Sequence, residues 1–272
     1  MNTVADYLVF LLRNTTNEYS AVNTARSALS SFLPSLGGVP VGQHMLIKRV
    51  MRGVFKEKPA LPKYTKIFDT NIVLDYLDRL GSSQDISLPQ LTERLATLTC
   101  LLSGHRDQTI SLLDVRDICF TSDMCTMVVN KLTKVTRPGF HIKPMEFKKF
   151  TYNDNLCVMS NTLHYLERTF TVRGTHVPLF ISPYKPHKPV SVSSISRWVK
   201  RRLNKAGVDT SVFGAHSTRA ASTSQALRKG ISMSEICRAA GWSNCTTFAR
   251  HYNKPIIDRT FDEGMLEDFK RS

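Results

Sequence analysis

Apolar residues recur at helical spacing through the first third of the chain. They predict one helix over residues 17–33 and a second over residues 46–54, with a Gly-Gly-Val-Pro break between them. Residues 56–66 contain two prolines, four lysines and little periodicity, which is typical of a linker. We therefore expect a helical domain over 1–66 and a larger domain over 67–272. The positions that define the two helices are Ala21, Val22, Ala25, Leu29, Phe32 and Leu33, then Leu46, Ile47, Val50 and Val54.

Beyond the linker, helical and extended patterns alternate. Residues 88–102 predict a long helix, and a glycine separates it from a second helical stretch around 110–113. Residues 126–132 and 140–147 are β-prone stretches on either side of a turn-rich insert, so they predict a hairpin. The fold class that follows is mainly α with a small antiparallel β-sheet. A short strand over 176–182 and helices from Ser193 almost to the end complete the predicted elements.

Composition and charge favour a nucleic-acid ligand. The 272 residues are 42% hydrophobic, and 37 basic against 22 acidic side chains give a net charge of +15. A surplus of this size points to a polyanionic partner, with nucleic acid ahead of an acidic membrane surface. The longest apolar run, Tyr7–Leu12, is six residues, whereas a membrane span needs about 20. The sequence therefore predicts neither a transmembrane segment nor a signal peptide.

The six cysteines and eight histidines follow no zinc-ligand spacing. This pattern predicts reduced, mostly buried thiols and no structural metal. No phosphate-binding P-loop is present in the sequence either.

Two basic surfaces are expected on the larger domain. Over residues 193–207, an apolar stripe lies opposite closely spaced cations with no acidic residue among them, which favours contact with DNA phosphates over a merely solvated helix face. The hairpin region carries a second cluster of lysines. Residues 256–272, by contrast, have five acidic and three basic side chains, which suits docking onto a basic neighbour. The predicted DNA-binding residues of the first surface are Arg197, Lys200, Arg201 and Lys205, with Arg202 beside them.

Four separated groups of residues supply candidate chemistry. Each is a weak signal alone, because an arginine, a lysine or a tyrosine usually has a structural role. Their order and spacing together resemble the tyrosine recombinase (phage integrase) family over roughly residues 85–255, and most closely the recombinases of DIRS-type retroelements. The matching residues are Arg106 after Ser103-Gly-His, Lys134 in the hairpin, His216 and Arg219 in His-Ser-Thr-Arg, Trp242 after Gly241, and Tyr252.

The chemistry of phosphodiester attack explains these residue types. Two guanidinium groups, on Arg106 and Arg219, suit the non-bridging phosphate oxygens, and a Trp242 indole N–H adds a donor. His216 is the candidate base or proton relay for the Tyr252 hydroxyl. A hairpin lysine, Lys134, is the candidate proton donor to the leaving 5′-oxygen.

The resemblance implies breakage and rejoining of double-stranded DNA through a 3′-phosphotyrosyl bond on Tyr252. It implies no metal, ATP or other cofactor, an N-terminal core-binding domain that clamps DNA, and a homo-tetramer on DNA, with 256–272 docking on a neighbour. The compartment would be the nucleus for a eukaryotic retroelement protein, which the resemblance favours, or the cytoplasm for a bacterial protein.

Two positions and three alternatives stay open. Bacterial and phage members usually have an acidic residue three positions after the first arginine, where this chain has Thr109; Asp107 lies two residues earlier. The resulting Arg-x-Gln-Thr form is typical of the retroelement branch. Lys131 competes with Lys134 for the hairpin role. The alternative functions are an inactive DNA-binding protein of the same fold, a type IB topoisomerase, and a helical RNA-binding protein.

Overall fold

The computed structural model describes residues 1–59, 64–133, 135–242 and 245–255. The chain divides into two compact units, residues 1–63 and 64–272. This division lies inside the predicted linker, three residues before the predicted boundary at Lys66. The second unit begins earlier because Tyr64 already packs against its core, where the Tyr64 carbonyl accepts a hydrogen bond from Lys254 Nζ at 2.7 Å.

The N-terminal unit is built from three helices, α1 (Asn2–Asn14), α2 (Tyr19–Phe32) and α3 (Met45–Glu57). The α2 and α3 helices match the two predicted ones. The sequence pattern did not predict α1, which contains the apolar run Tyr7–Leu12. A turn at Gly37-Gly38, with both φ angles positive, separates α2 from α3 and accounts for the break in the pattern. The three helices share one small core: Ala5, Leu8, Leu12, Val22, Ile47, Met51 and Val54.

The larger unit is organised around one buried helix, α5 (Leu88–Ser103). Ser87 caps its N-terminus in a capping box with Gln90, and Gly104 ends it in the left-handed conformation at φ +63°. Most α5 residues are buried because three later helices, α7 (Val158–Arg173), α8 (Val192–Lys205) and α9 (Ser217–Arg228), pack against it. The helices of this unit are α4 (Thr70–Asp78), α5 (Leu88–Ser103), α6 (Asp107–Ile110), α7 (Val158–Arg173), α8 (Val192–Lys205), α9 (Ser217–Arg228), α10 (Met233–Ala239) and α11 (Cys245–His251).

The sheet is small, antiparallel and three-stranded, in the order β1 (Ile118–Phe120), β2 (Met124–Met127) and β3 (Met145–Lys148). Cys125 of β2 pairs with Phe120 of β1 and with Phe147 of β3. The predicted hairpin strands were placed wrongly: β2 ends at Met127 and β3 begins only at Met145. The β-prone residues between them belong to the connection, and β1 was not predicted.

Three further features correct or extend the sequence-based elements. The strand predicted over 176–182 is wrong, because this segment contributes only isolated bridges, Asp114–Pro178 and Ile181–Pro189. The α4 and α7 helices were not predicted. None of the helices in the described part of the chain combines the length and apolarity that a bilayer crossing requires. The fold class, mainly α with a small antiparallel sheet, is confirmed.

Candidate active site

The first element of the site is the turn from α5 to α6, which carries Arg106. Gly104 ends α5 at φ +63°, and a Cβ at this position would lie 3.0 Å from Thr223 Cγ2 and 3.2 Å from Ala240 Cβ. A side chain is therefore excluded both by the backbone conformation and by the close approach of two other segments. Arg106 follows as the half-buried residue that precedes α6.

Arg219, on the first turn of α9, is the centre of the site and is only 1% exposed. Its Nη1 donates to the carbonyls of Gly104 at 2.5 Å and Ala240 at 2.7 Å, so it joins the α5–α6 turn to the segment after α10. Its Nε and Nη2 are buried and have no acceptor among the described residues. Burial lowers the pKa of Arg219, and the neighbouring Arg106 cation lowers it further, whereas Tyr252 raises it.

Trp242 and Tyr252 pack around this guanidinium. Arg219 Cζ lies 3.7 Å from the centre of the Trp242 ring and 5.6 Å from that of Tyr252. The two aromatic rings meet edge to face at 5.0 Å, over the fully buried Phe248 of α11. The Trp242 indole Nε1 is also buried without a partner among the described residues.

Tyr252 lies at the end of α11 and is fixed through its backbone. Its N–H donates to the Phe248 carbonyl at 2.9 Å, and its carbonyl accepts from the Ser224 hydroxyl of α9 at 2.6 Å. The exposed His216 immediately precedes α9, with its ring 6.3 Å from that of Tyr252, centre to centre. Because α9 and α11 are joined in this way, the predicted nucleophile and its predicted relay are held near one another.

The structure therefore brings together five of the six predicted catalytic residues. The sixth, Lys134, lies outside the described residues, and Lys131 is exposed in the β2–β3 connection. Thr109 is buried at the position where bacterial members carry an acid. Asp107 accepts a hydrogen bond from the Ser196 hydroxyl of α8.

The basic surface on α8 is smaller than the sequence suggests. Arg197, Lys200, Arg201 and Lys205 are all exposed as predicted. However, Arg201 forms an ion pair with the buried Glu93 of α5, and Arg202 is buried 2.8 Å from the same carboxylate. The expectation that these cations are unneutralised is therefore wrong for Arg201 and Arg202, because their acid lies on another helix.

His105 is a site residue that the sequence analysis did not single out. It is 3% exposed, lies between Gly104 and Arg106, and contacts the backbone of Gly241. Its only sequence signal is its place within the Gly-His-Arg segment. No group of three or more His, Cys, Asp or Glu side chains that could hold a metal occurs among the residues that the structure describes.

Three solved structures have a similar fold. The Tn1549 transposon integrase, in complex with circular intermediate DNA, matches with a TM-score of 0.58 at 15% identity, over 98% of this chain and 84% of its own. The XerH site-specific recombinase, bound to its difH substrate before cleavage, matches with a TM-score of 0.54 at 13% identity, over 97% of this chain and 76% of its own. The XerA recombinase matches with a TM-score of 0.51 at 14% identity, over 99% of this chain and 90% of its own. These identities are low, so the matches show a shared fold.

A search of curated proteins found no match. The model of the phage integrase family matches residues 75–256, which is well over half of the chain. The matched segment contains all the residues of the site described above. This chain is a member of the phage integrase family, the tyrosine recombinases.

Proposed function

We propose that this protein breaks and rejoins double-stranded DNA, with Tyr252 as the nucleophile and a 3′-phosphotyrosyl bond as the intermediate. The observation that carries the proposal is a set of three buried N–H groups that have no acceptor among the residues that the structure describes: Nε and Nη2 of Arg219 and Nε1 of Trp242. Buried donors are normally satisfied, so unsatisfied ones beside a tyrosine indicate a site prepared for an anion. A DNA phosphate supplies the acceptor oxygens.

In the proposed step the Tyr252 oxygen attacks the phosphorus, and the bond from phosphorus to the 5′-oxygen breaks. His216 takes the tyrosine proton, and Lys134 gives a proton to the departing 5′-oxygen. Arg106 and Arg219 hold the non-bridging oxygens, on which negative charge increases in the transition state. The products are a phosphotyrosyl ester and a 5′-hydroxyl, so attack by a second 5′-hydroxyl restores the DNA without ATP.

Two cationic surfaces support DNA as the ligand. On α8, Arg197, Lys200 and Lys205 are exposed, and Arg201 keeps part of its surface in solvent despite its ion pair. In the N-terminal unit, a groove between α2 and α3 is lined by four cations that would contact the DNA backbone, which suits a core-binding domain. These are Arg26, Lys48, Arg52 and Lys56.

The assembly and the lineage are part of the same proposal. We propose a homo-tetramer on DNA in which residues 256–272, which lie outside the described residues, dock on a neighbouring protomer. We also propose that the chain belongs to the DIRS-type retroelement branch and acts in the nucleus, because it has the Arg106-x-Gln108-Thr109 form. Deletion of 256–272 should leave cleavage by single protomers detectable but weaken assembly on DNA. Unchanged assembly would exclude the docking role.

The covalent intermediate provides the direct test. Nicked duplexes made from the DNA that flanks the gene are incubated with the protein in EDTA and resolved on a denaturing gel. We expect a protein–DNA adduct that is absent from Tyr252→Phe and present in Tyr152→Phe, a matched control at a highly exposed tyrosine. DNA binding with no adduct would identify an inactive DNA-binding protein, and sequence-independent relaxation of supercoils would identify a topoisomerase.

A further inference from the structure

We infer that His105 is a positioning residue for the proposed strand cleavage. Its uncharged imidazole holds the turn that carries Arg106 against the turn that carries Trp242. The inference rests on the proposed function, and the experiment below separates its failure from the failure of that function.

The contact between the two turns is direct. A Cβ placed on Gly241 would lie 2.8 Å from His105 Cε1 and 3.5 Å from its Nδ1, and 3.2 Å from Ile142 Cγ2. The His105 imidazole and the Ile142 side chain therefore both pack against the backbone of Gly241. Gly241 has φ +68°, so both its conformation and its neighbours require glycine.

The two turns face one another residue by residue. Arg219 Nη1 bridges the carbonyls of Gly104 and Ala240, and the next residues, His105 and Gly241, are in contact. The residues after these are Arg106 and Trp242, two of the groups proposed to hold the phosphate. The His105 ring consequently helps to set the separation of the two backbone segments from which Arg106 and Trp242 extend.

The ring is uncharged at neutral pH, and its Nε2 has no hydrogen-bond partner among the described residues. Burial lowers the pKa of His105 to about 4, and the cations Arg219 and Arg106 contribute in the same direction, while the Ala239 backbone opposes them. The site's positive charge thus stays on the arginines, while the uncharged imidazole packs against Gly241.

The test uses His105→Ala and His105→Gln in the full chain, with His164→Ala as the matched control. His164 lies on α7 and also has a buried ring nitrogen, Nδ1, without a partner among the described residues. For each variant we would measure thermal unfolding, affinity for an intact duplex, and the single-turnover rate of adduct formation on the nicked duplex. We expect His105→Ala to bind DNA within about threefold of wild type but to form adduct about 100-fold more slowly, the size expected for misplacement by about 1 Å.

Two comparisons separate positioning from simple stability. His105→Gln keeps a planar polar side chain that can pack against Gly241 and should recover most of the rate. Gly241→Ala should be less damaging in the His105→Ala background than in wild type, because the clash with the ring is gone while the φ strain is the same in both. We expect the double variant to be at least about fivefold faster than the product of the two single effects.

The outcomes are distinct. Three results would each overturn the inference. The first is an equal adduct rate in His105→Ala and His164→Ala, and the second is a double variant whose adduct rate is the simple product of the two single effects. The third is loss of folding in both His105 variants. Absence of adduct with the wild-type protein itself would instead show that the proposed function is wrong.

Discussion

Acidification should destabilise the C-terminal unit through His105. An exposed histidine has a pKa near 6.5, whereas burial and two neighbouring arginines lower the pKa of His105 to about 4. Between these values the unfolded chain binds a proton that the folded protein does not. Stability due to this group is therefore complete above the unfolded pKa and is lost as the pH falls toward 4.

The magnitude follows from the two pKa values. Their difference of about 2.5 pKa units, at about 1.4 kcal/mol each, sets a limit of about 3 kcal/mol for full protonation. Between about pH 7.5 and about pH 5, the same two values give a loss of about 2 kcal/mol from this one side chain. A loss of this size is a substantial fraction of the stability of a typical domain, which is about 5–15 kcal/mol.

Urea unfolding followed by tryptophan fluorescence provides the assay, because Trp198 and Trp242 are the two tryptophans and both lie in the C-terminal unit. His105→Gln does not titrate in this range, so its free energy of unfolding should fall less than that of wild type between the two pH values, by about 2 kcal/mol. If His105→Gln and wild type lost stability equally, His105 would not be a buried neutral imidazole and the argument would fail.

Three further predictions concern the charges around α5, α8 and α9. Glu93→Gln leaves Arg202 buried without its counter-ion, so urea unfolding should show a loss of about 3–5 kcal/mol; a loss below about 1 kcal/mol would contradict this. Arg219→Lys cannot supply the same planar set of donors, and the adduct rate should fall by about 100-fold or more while duplex binding is retained; an unchanged rate would contradict the proposed clamp. Replacing Lys200 and Lys205 together with Gln should weaken duplex binding and reduce the salt dependence of log K by about 2, and an unchanged slope would exclude phosphate contacts there.

The sequence predicts best where signals are local. The helices α2, α3 and α5 follow from apolar periodicity and caps, and His216 and Arg219 are predicted from the order and spacing of the four motifs together. The α7 helix was missed because buried polar residues, Asn161 and Thr169 among them, interrupt its apolar pattern. Long-range partners leave no local signal.

The ion pairs of α8 illustrate this limit. Arg201 binds Glu93, which lies 108 positions away in the sequence, and only the packing of α8 on α5 reveals it. The contact between His105 and Gly241 is of the same kind. The sequence shows a glycine in each motif, Gly104 and Gly241, but it does not show which side chains pack against them.

The two roles of Arg219 explain how the site can be ready before its ligand arrives. Each buried N–H left unpaired costs about 1–3 kcal/mol. Arg219 Nε, Arg219 Nη2 and Trp242 Nε1, which have no acceptor in the described part of the chain, therefore together oppose folding. The other guanidinium nitrogen, Nη1, offsets part of this cost by satisfying two buried carbonyls, of Gly104 and Ala240, while the guanidinium plane stacks on Trp242. The same bonds fix the direction of the unpaired donors. In the proposed reaction, a phosphate that gains access to these buried donors would pair them and would recover the free energy that their desolvation cost during folding.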